Sequence, residues 1–543
     1  MKVSDALVTE LARQGVKYIF GVPGEENLDL LDSISRSHIP FVLTRHEQAA
    51  GFMAATIGRL TGKAGVALST LGPGATNLAT AAAYATLGAM PAIFITGQKS
   101  NAFRKQGAFQ IVDTVGMFKP LTRFSASIAS EKMLTPLLKK AFAVAEGERP
   151  GAVHLELPEN IAAMDFPKPD KTPILTPLPV PPNTHALVSA AKALLRAKRP
   201  VLLIGMRANT PSVARELTLF IQETGIPFVT TQMGKGVVRE DHPLYLGTTA
   251  VTSGDYVHTL LGEADTVLCV GHETVEKPPF VIKNGNPLVI HLNVARAGNE
   301  PVYIPRIEVV GDIATGLRML KESLKGENEW EQGWFTNGQR ETETCTKEKS
   351  SSPHFPLLPQ RIVADIRSAM PETGIVTLDN GMCKLWFARS YRALGLHTLL
   401  LDNALATMGA GLPSAIAAKL VHPKRKVLTV CGDGGFMMSS QELETAVRLK
   451  LDLVIVVIRD NGFGMIQWKQ EADGFKKFGL SYGNPDFAAY ARSFGAKGHR
   501  VTQAKEFLPL LTKALGEKGV SLIDVPVDYS ENAKVFTKLT KKL

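Results

Sequence analysis

At 543 residues and 58.6 kDa, with 45% hydrophobic and 21% charged residues, the chain has ordinary globular composition and is too long for one hydrophobic core. Disordered and low-complexity classes are excluded, and length alone suggests about three domains. The formal charge of +10 is spread along the sequence apart from a small basic C-terminus, "KVFTKLTKKL", and no basic block with interleaved aromatics marks a nucleic-acid partner.

In chain order, "MKVSDALVTELARQGVKYIFGVPG" reads as a helix capped by Ser4 that runs into a strand, without an apolar leader. No window holds the roughly 18 uninterrupted apolar residues of a membrane span, so a cytoplasmic protein with no membrane partner is expected. Apolar, β-branched runs follow at "PFVLT", "AGVALST", "PAIFITG" and "GAVHLELP", then at "PVLLIG", "PFVTT", "TVLCVG" and "LVIHLNV", then at "GIVTLDN", "KVLTVCG", "LVIVVIRDN" and "SLIDVPVD". Such runs alternating with helical periodicity imply parallel strands buried on both faces. A proline-rich linker at 166–184 and a polar connector at 326–356, able to hold a helix, separate domains at 1–165, 185–325 and 357–543. The expected architecture is three doubly wound α/β domains, with glycine-rich turns after strands in the first and third. Cys269, Cys345, Cys383 and Cys431 lack metal-ligand spacing.

Residues 430–465, "VCGDGGFMMSSQELETAVRLKLDLVIVVIRDNGFGM", form a strand, a glycine turn, a helix and a second strand. A right-handed crossover sets the two strands side by side, so Asp433 and Asp460, 27 positions apart, emerge at the same carboxyl edge. Helix N–H groups after "GDGG" can receive an anion there. Two hard oxygen ligands beside such a cradle suggest Mg2+ or Ca2+ bridging to a diphosphate, with the Gly462 carbonyl as a further ligand.

The strand, GDGG, helix, strand, DNG order resembles the signature of the thiamin diphosphate (ThDP) enzymes, with Asp433 and Asp460 in its first and last positions. "TRHEQAAGFMAATIGRLTGKAGVALSTLGPGATNL" and "FITGQ" are similar to the acetohydroxyacid and acetolactate synthase pattern, closest to its catabolic, FAD-independent branch. The resemblance covers the whole chain. It implies a pyrimidine-binding domain, a central degenerate Rossmann-like domain and a diphosphate-binding domain. It makes Glu47 the activator of the cofactor's pyrimidine ring, with Gly72, Pro73 and Asn77 nearby. Phe109 and Gln110 fall near the reacting carbon, and Met408 supports the bent cofactor. Gly432, Gly434, Gly435 and Met465 join the cofactor site, with Mg2+ on Asp433, Asp460 and Gly462.

The implied reaction is decarboxylation of pyruvate and carboligation of the hydroxyethyl unit to a second 2-keto acid, giving 2-acetolactate. FAD is not expected, because "GHETVEKPPFVIKNGNP" lacks the arginine-rich flavin loop and "LLIGMRANTP" lacks a dinucleotide fingerprint. Trp468 stands one place earlier than the tryptophan of the biosynthetic enzymes. Since the family assembles each site from two chains, a homodimer is the minimum and a homotetramer is expected. Another ThDP-dependent decarboxylase or carboligase, a pyruvate oxidase and a catalytically silent ThDP-fold protein are the alternatives.

Overall fold

The computed structural model describes residues 1–103, 108–167, 179–249, 251, 256–276, 287–298, 303–326 and 328–536. Of the proline-rich stretch, residues 168–178 lie outside these, as do 277–286 of the central-domain segment and 537–543 of the basic C-terminus. Every apolar run quoted above forms a strand. Their continuous burial reflects sheets covered on both faces, as β-branched runs require.

Three six-stranded parallel sheets result. The first contains β1 (Ile19–Gly21), β2 (Phe41–Leu43), β3 (Gly65–Ser69), β4 (Ala92–Gln98), β5 (Phe124–Ser127) and β6 (Ala152–Pro158) in the order β2-β1-β3-β4-β6-β5. The second contains β7 (Pro200–Ile204), β8 (Phe228–Thr230), β9 (Tyr245–Thr248), β10 (Thr266–Val270), β11 (Leu288–Asn293) and β12 (Ile307–Val310) in the order β12-β11-β10-β7-β8-β9. The third contains β13 (Ile375–Leu378), β14 (Leu399–Leu400), β15 (Val427–Gly432), β16 (Leu453–Arg459), β17 (Lys497–Arg500) and β18 (Val520–Pro526) in the order β14-β13-β15-β16-β18-β17. Numbered within each sheet, the first and third share the order 2-1-3-4-6-5, whereas the second, read from β9, is 3-2-1-4-5-6, the dinucleotide-binding order.

By internal contacts the chain forms two units. One takes Met1–Leu178, Ala404–Lys424 and Met437–Leu451, and the other takes Pro179–Asn403, Arg425–Phe436 and Asp452–Leu543. In the first unit the helix Glu47–Thr61 is buried along nearly its whole length. Glycine makes this possible: a β-carbon at Gly51 would lie 2.4 Å from that of Ala81, and one at Gly58 would lie 1.9 Å from the Pro91 carbonyl oxygen. The helix Gly411–Val421 packs on it, with the Thr56 and Ser414 hydroxyls 3.0 Å apart.

One local expectation changes and another is met. Ser4 is not the first cap: the helix spans Val3–Arg13, Lys2 caps it with its N–H on Asp5 Oδ2 at 3.0 Å, and Ser4 is buried against the Ser33 hydroxyl. The connector contains the helix Thr336–Lys347, anchored where the Thr342 hydroxyl donates to the Leu246 carbonyl at 2.8 Å. All four cysteines are free thiols, and among the described residues no helix is long and apolar enough to cross a membrane.

In the second unit a buried ion pair joins residues around the second and third sheets. Lys235 Nζ lies 2.8 Å from Glu240 Oε2, which also accepts the Ala393 N–H at 2.9 Å, while Arg392 donates to the Glu240 carbonyl at 2.8 Å. Removing one member strands the other charge, whereas replacing both by apolar groups does not. Glu240→Ala should therefore lose about 3–5 kcal/mol by urea denaturation, and Lys235→Met with Glu240→Leu should lose distinctly less.

Candidate active site

In the third sheet Gly432 pairs with Ile458, so the residues that follow β15 and β16 leave the same edge from adjacent strands. Asp433, only 1% exposed, accepts four hydrogen bonds. Its Oδ1 receives the Gly434 N–H and the Tyr482 hydroxyl, both at 2.8 Å. Its Oδ2 receives the Asn461 N–H at 2.7 Å and Asn484 Nδ2 at 2.8 Å. The Asp460 carboxyl is pushed up to about 7, first by burial and then by the Asp433 carboxylate beside it. The Tyr482 hydroxyl also lies 3.0 Å from the Gly462 carbonyl, so it bridges two of the expected ligand oxygens.

The turn is shaped by missing side chains. A β-carbon on Gly435 would lie 2.4 Å from Asp379 Oδ1, and one on Gly464 would lie 2.4 Å from Asp460 Oδ2; at Gly432 none would meet anything. Gly434 is half-buried beside them. Asp379 follows β13, across the switch point from β15, where ligands of open α/β sheets bind. Among the described residues no group of three or more His, Cys, Asp or Glu could hold a metal by itself. Two like-charged acids with one carbonyl make a partial oxygen shell, which suits a Mg2+ ion completed by phosphate oxygens and water.

In the first sheet Glu47 follows β2 as the first residue of its helix, and His46 Nδ1 caps that helix by accepting the Gln48 N–H at 3.1 Å. Asn77 Nδ2 donates to Glu47 Oε2 at 3.0 Å. A β-carbon at Gly74 would stand 3.2 Å from Glu47 Oε1, so a residue without a side chain admits the carboxylate. Gly72 (φ +47°) opens the short helix Gly72–Asn77 with exposed Pro73, just past β3 at the switch point. Its α-carbon meets the Gln110 backbone, since a β-carbon would lie 2.5 Å from the Gln110 carbonyl oxygen. Gln110 takes a positive φ of 60°, and Phe109 is 81% exposed. Met408 is half-exposed rather than part of the core, and Met465 is half-buried in the first turn of the helix Gly464–Ala472. Glu47 and Asn77 belong to one compact unit and the Asp433 cluster to the other. Trp468 is buried, its ring edge-to-face with Phe536 at 5.9 Å.

At the switch point of the second sheet the Met206 N–H, in the turn after β7, donates to Glu276 Oε2 at 2.8 Å, and the Thr231 hydroxyl donates to Oε1 at 2.5 Å. The chain's own carboxylate thus takes the amide that a dinucleotide phosphate would use in this topology. Sequence reasoning missed Asp379, Tyr482, Asn484 and Glu276. An acid just past a strand in "GIVTLDN" was a usable signal for Asp379; the loop "SYGNP" offers none for Tyr482 or Asn484.

A carboxylate pair at the carboxyl edge of one parallel sheet, and a glutamate held by Asn77 at that edge of a second sheet of the same strand order, fit a diphosphate-cofactor enzyme. The chain belongs to the thiamine pyrophosphate enzyme family, matching its N-terminal TPP binding domain over residues 1–117, its central domain over 187–320 and its C-terminal TPP binding domain over 379–525. Among curated proteins it is similar to the catabolic acetolactate synthase of Raoultella terrigena, at 34% identity over 99% of this chain and 97% of that one. The acetolactate synthase of Bacillus subtilis is 33% identical over 99% and 95%, and the probable acetolactate synthase large subunit of Methanocaldococcus jannaschii is 32% identical over 98% and 93%.

If the pair at β15 and β16 takes a cation, Mg2+ with inorganic diphosphate should raise the thermal unfolding midpoint of the cofactor-free protein by about 2 °C or more. Asp433→Ala and Asp460→Ala should each abolish that rise, and both variants should bind ThDP more weakly. Equal shifts in wild type and variants exclude these carboxylates as ligands.

Proposed function

We propose that this protein decarboxylates pyruvate and joins the two-carbon unit to a second 2-keto acid to give 2-acetolactate, using thiamin diphosphate and Mg2+ without FAD. The observation that carries this reading is the Asp433–Asp460 pair at the ends of two neighbouring parallel strands. The acetolactate synthase relatives, matched over 93–97% of their own lengths, support the choice of reaction.

When bound, ThDP supplies the carbon nucleophile and the electron sink for loss of CO2. Asp433, Asp460 and the Gly462 carbonyl would hold Mg2+, and Gly432, Gly434 and Gly435 would let diphosphate oxygens approach the strand end. Glu47, fixed by Asn77, would hold a proton at the pyrimidine nitrogen, with Gly72 and Pro73 shaping the turn beside it. Met408 and Met465 would pack against the cofactor, and Phe109 and Gln110 would meet the incoming keto acid. A homodimer is the smallest active form in this reading, and a homotetramer is expected. Flavin independence is supported by Glu276, which already occupies the Met206 amide.

The test is incubation with ThDP, Mg2+ and pyruvate, with acetolactate, acetaldehyde and acetate assayed separately. Colourless protein should form acetolactate without added FAD, and Glu47→Gln should lower kcat by about 100-fold or more. Acetaldehyde as the main product would make it a decarboxylase. Acetate formed only with bound flavin would make it an oxidase.

A further inference from the structure

The edge strand β2 ends its ladder early. The Thr44 N–H still donates to the Gly21 carbonyl at 3.0 Å, but the two residues between Thr44 and Glu47 have turned away from the sheet. Their amides go to the helix Glu442–Arg448, which belongs to the same compact unit. Glu442 Oε1 accepts the Arg45 N–H at 3.0 Å, and the His46 N–H nearby adds to the stabilisation of its charge. The Thr445 hydroxyl holds Oε2 at 2.7 Å. One turn further on, the Arg448 guanidinium donates to the Leu43 carbonyl at 2.5 Å. A single short helix therefore grips the Leu43–His46 corner through the Leu43 carbonyl and the Arg45 amide.

Glu442 is 0% exposed, and losing it would take away the side-chain acceptor of the Arg45 N–H. Burial pushes its carboxyl up to about 7, so holding the charge there has a cost. The corner that it holds sets the extended backbone of His46 (φ −153°, ψ 141°), and the next residue is Glu47.

We infer that Glu442 is a positioning residue for Glu47, acting through the Arg45 and His46 backbone to aim the carboxylate at its proton-transfer partner. The inference rests on the reading of Glu47 given above. A side chain carried on a displaced corner would miss its target by a fraction of an ångström, and misplacement of about 1 Å costs about 100-fold in rate.

The test uses Glu442→Gln, which keeps an acceptor but removes the charge that the Arg45 amide faces, and Arg448→Ala, which removes only the more exposed grip. In the cofactor-free full chain, amide hydrogen exchange of the 44–48 segment should quicken in both variants while the other helices keep their rates. In the ThDP- and Mg2+-loaded enzyme, the thiazolium C2–H exchange rate and kcat should fall together, by about 10- to 100-fold in Glu442→Gln and by less in Arg448→Ala. KM for pyruvate and ThDP affinity should hold. Unchanged C2–H exchange in both variants overturns the inference, as does a loss of kcat matched by equal losses of cofactor affinity and unfolding midpoint. Glu47→Gln serves as the reference: if it retains C2–H exchange, the reading of Glu47 itself is what fails.

Discussion

Two carboxylates of like charge, brought together by a parallel register, are the constraint on which the third sheet's carboxyl edge is built. Gly432 opposite Ile458 leaves Asp433 and Asp460 little freedom to separate, because a slip of either strand would break the ladder of pairs that runs from Leu428–Val454 to Gly432–Ile458. The protein answers the repulsion with four donors on Asp433 and with a raised carboxyl at Asp460. Donors alone do not remove a second buried charge, and a divalent cation does. The glycines around the pair keep side chains out of the space that such an ion and its phosphate partners need.

The first sheet solves a different problem with the same strand order. Its switch point carries Gly72 and Pro73 instead of an acid, and its candidate carboxylate, Glu47, comes from the edge strand on a rigid helix. The second sheet keeps the dinucleotide order yet meets its own Glu276 at the first turn. Fold order places a crevice, and the residues lining it decide whether it receives an anion, a cation or neither.

Which parts were legible in the sequence follows from burial. The thirteen strands read from apolar runs include every central strand of all three sheets, because two-sided burial demands continuous β-branched side chains. The five that were missed, β5, β9, β12, β14 and β17, are all edge strands. Strand β17, "KGHR", is largely polar, and β14 is two residues long, so neither carries a period to read. The same logic separates the site residues. Asp433, Asp460 and Glu47 sit at strand ends marked by strong local patterns. Tyr482 and Asn484 reach Asp433 from a loop whose only signal is tertiary, as does Glu442 in its reach to Arg45.

The glycine-locked helix behind Glu47 has a consequence for changing what the enzyme accepts. With Gly51 and Gly58 admitting neighbours that no side chain would tolerate, the helix has no slack to follow alterations elsewhere. In the reading of Glu47 proposed above, the base would stand apart from the choice of second substrate. Phe109, whose ring is exposed and contributes little to the fold, is the residue proposed above to meet that substrate. A library at Phe109 would explore new acceptors while leaving the Gln110 backbone against Gly72, and so the helix that carries Asn77, as it is.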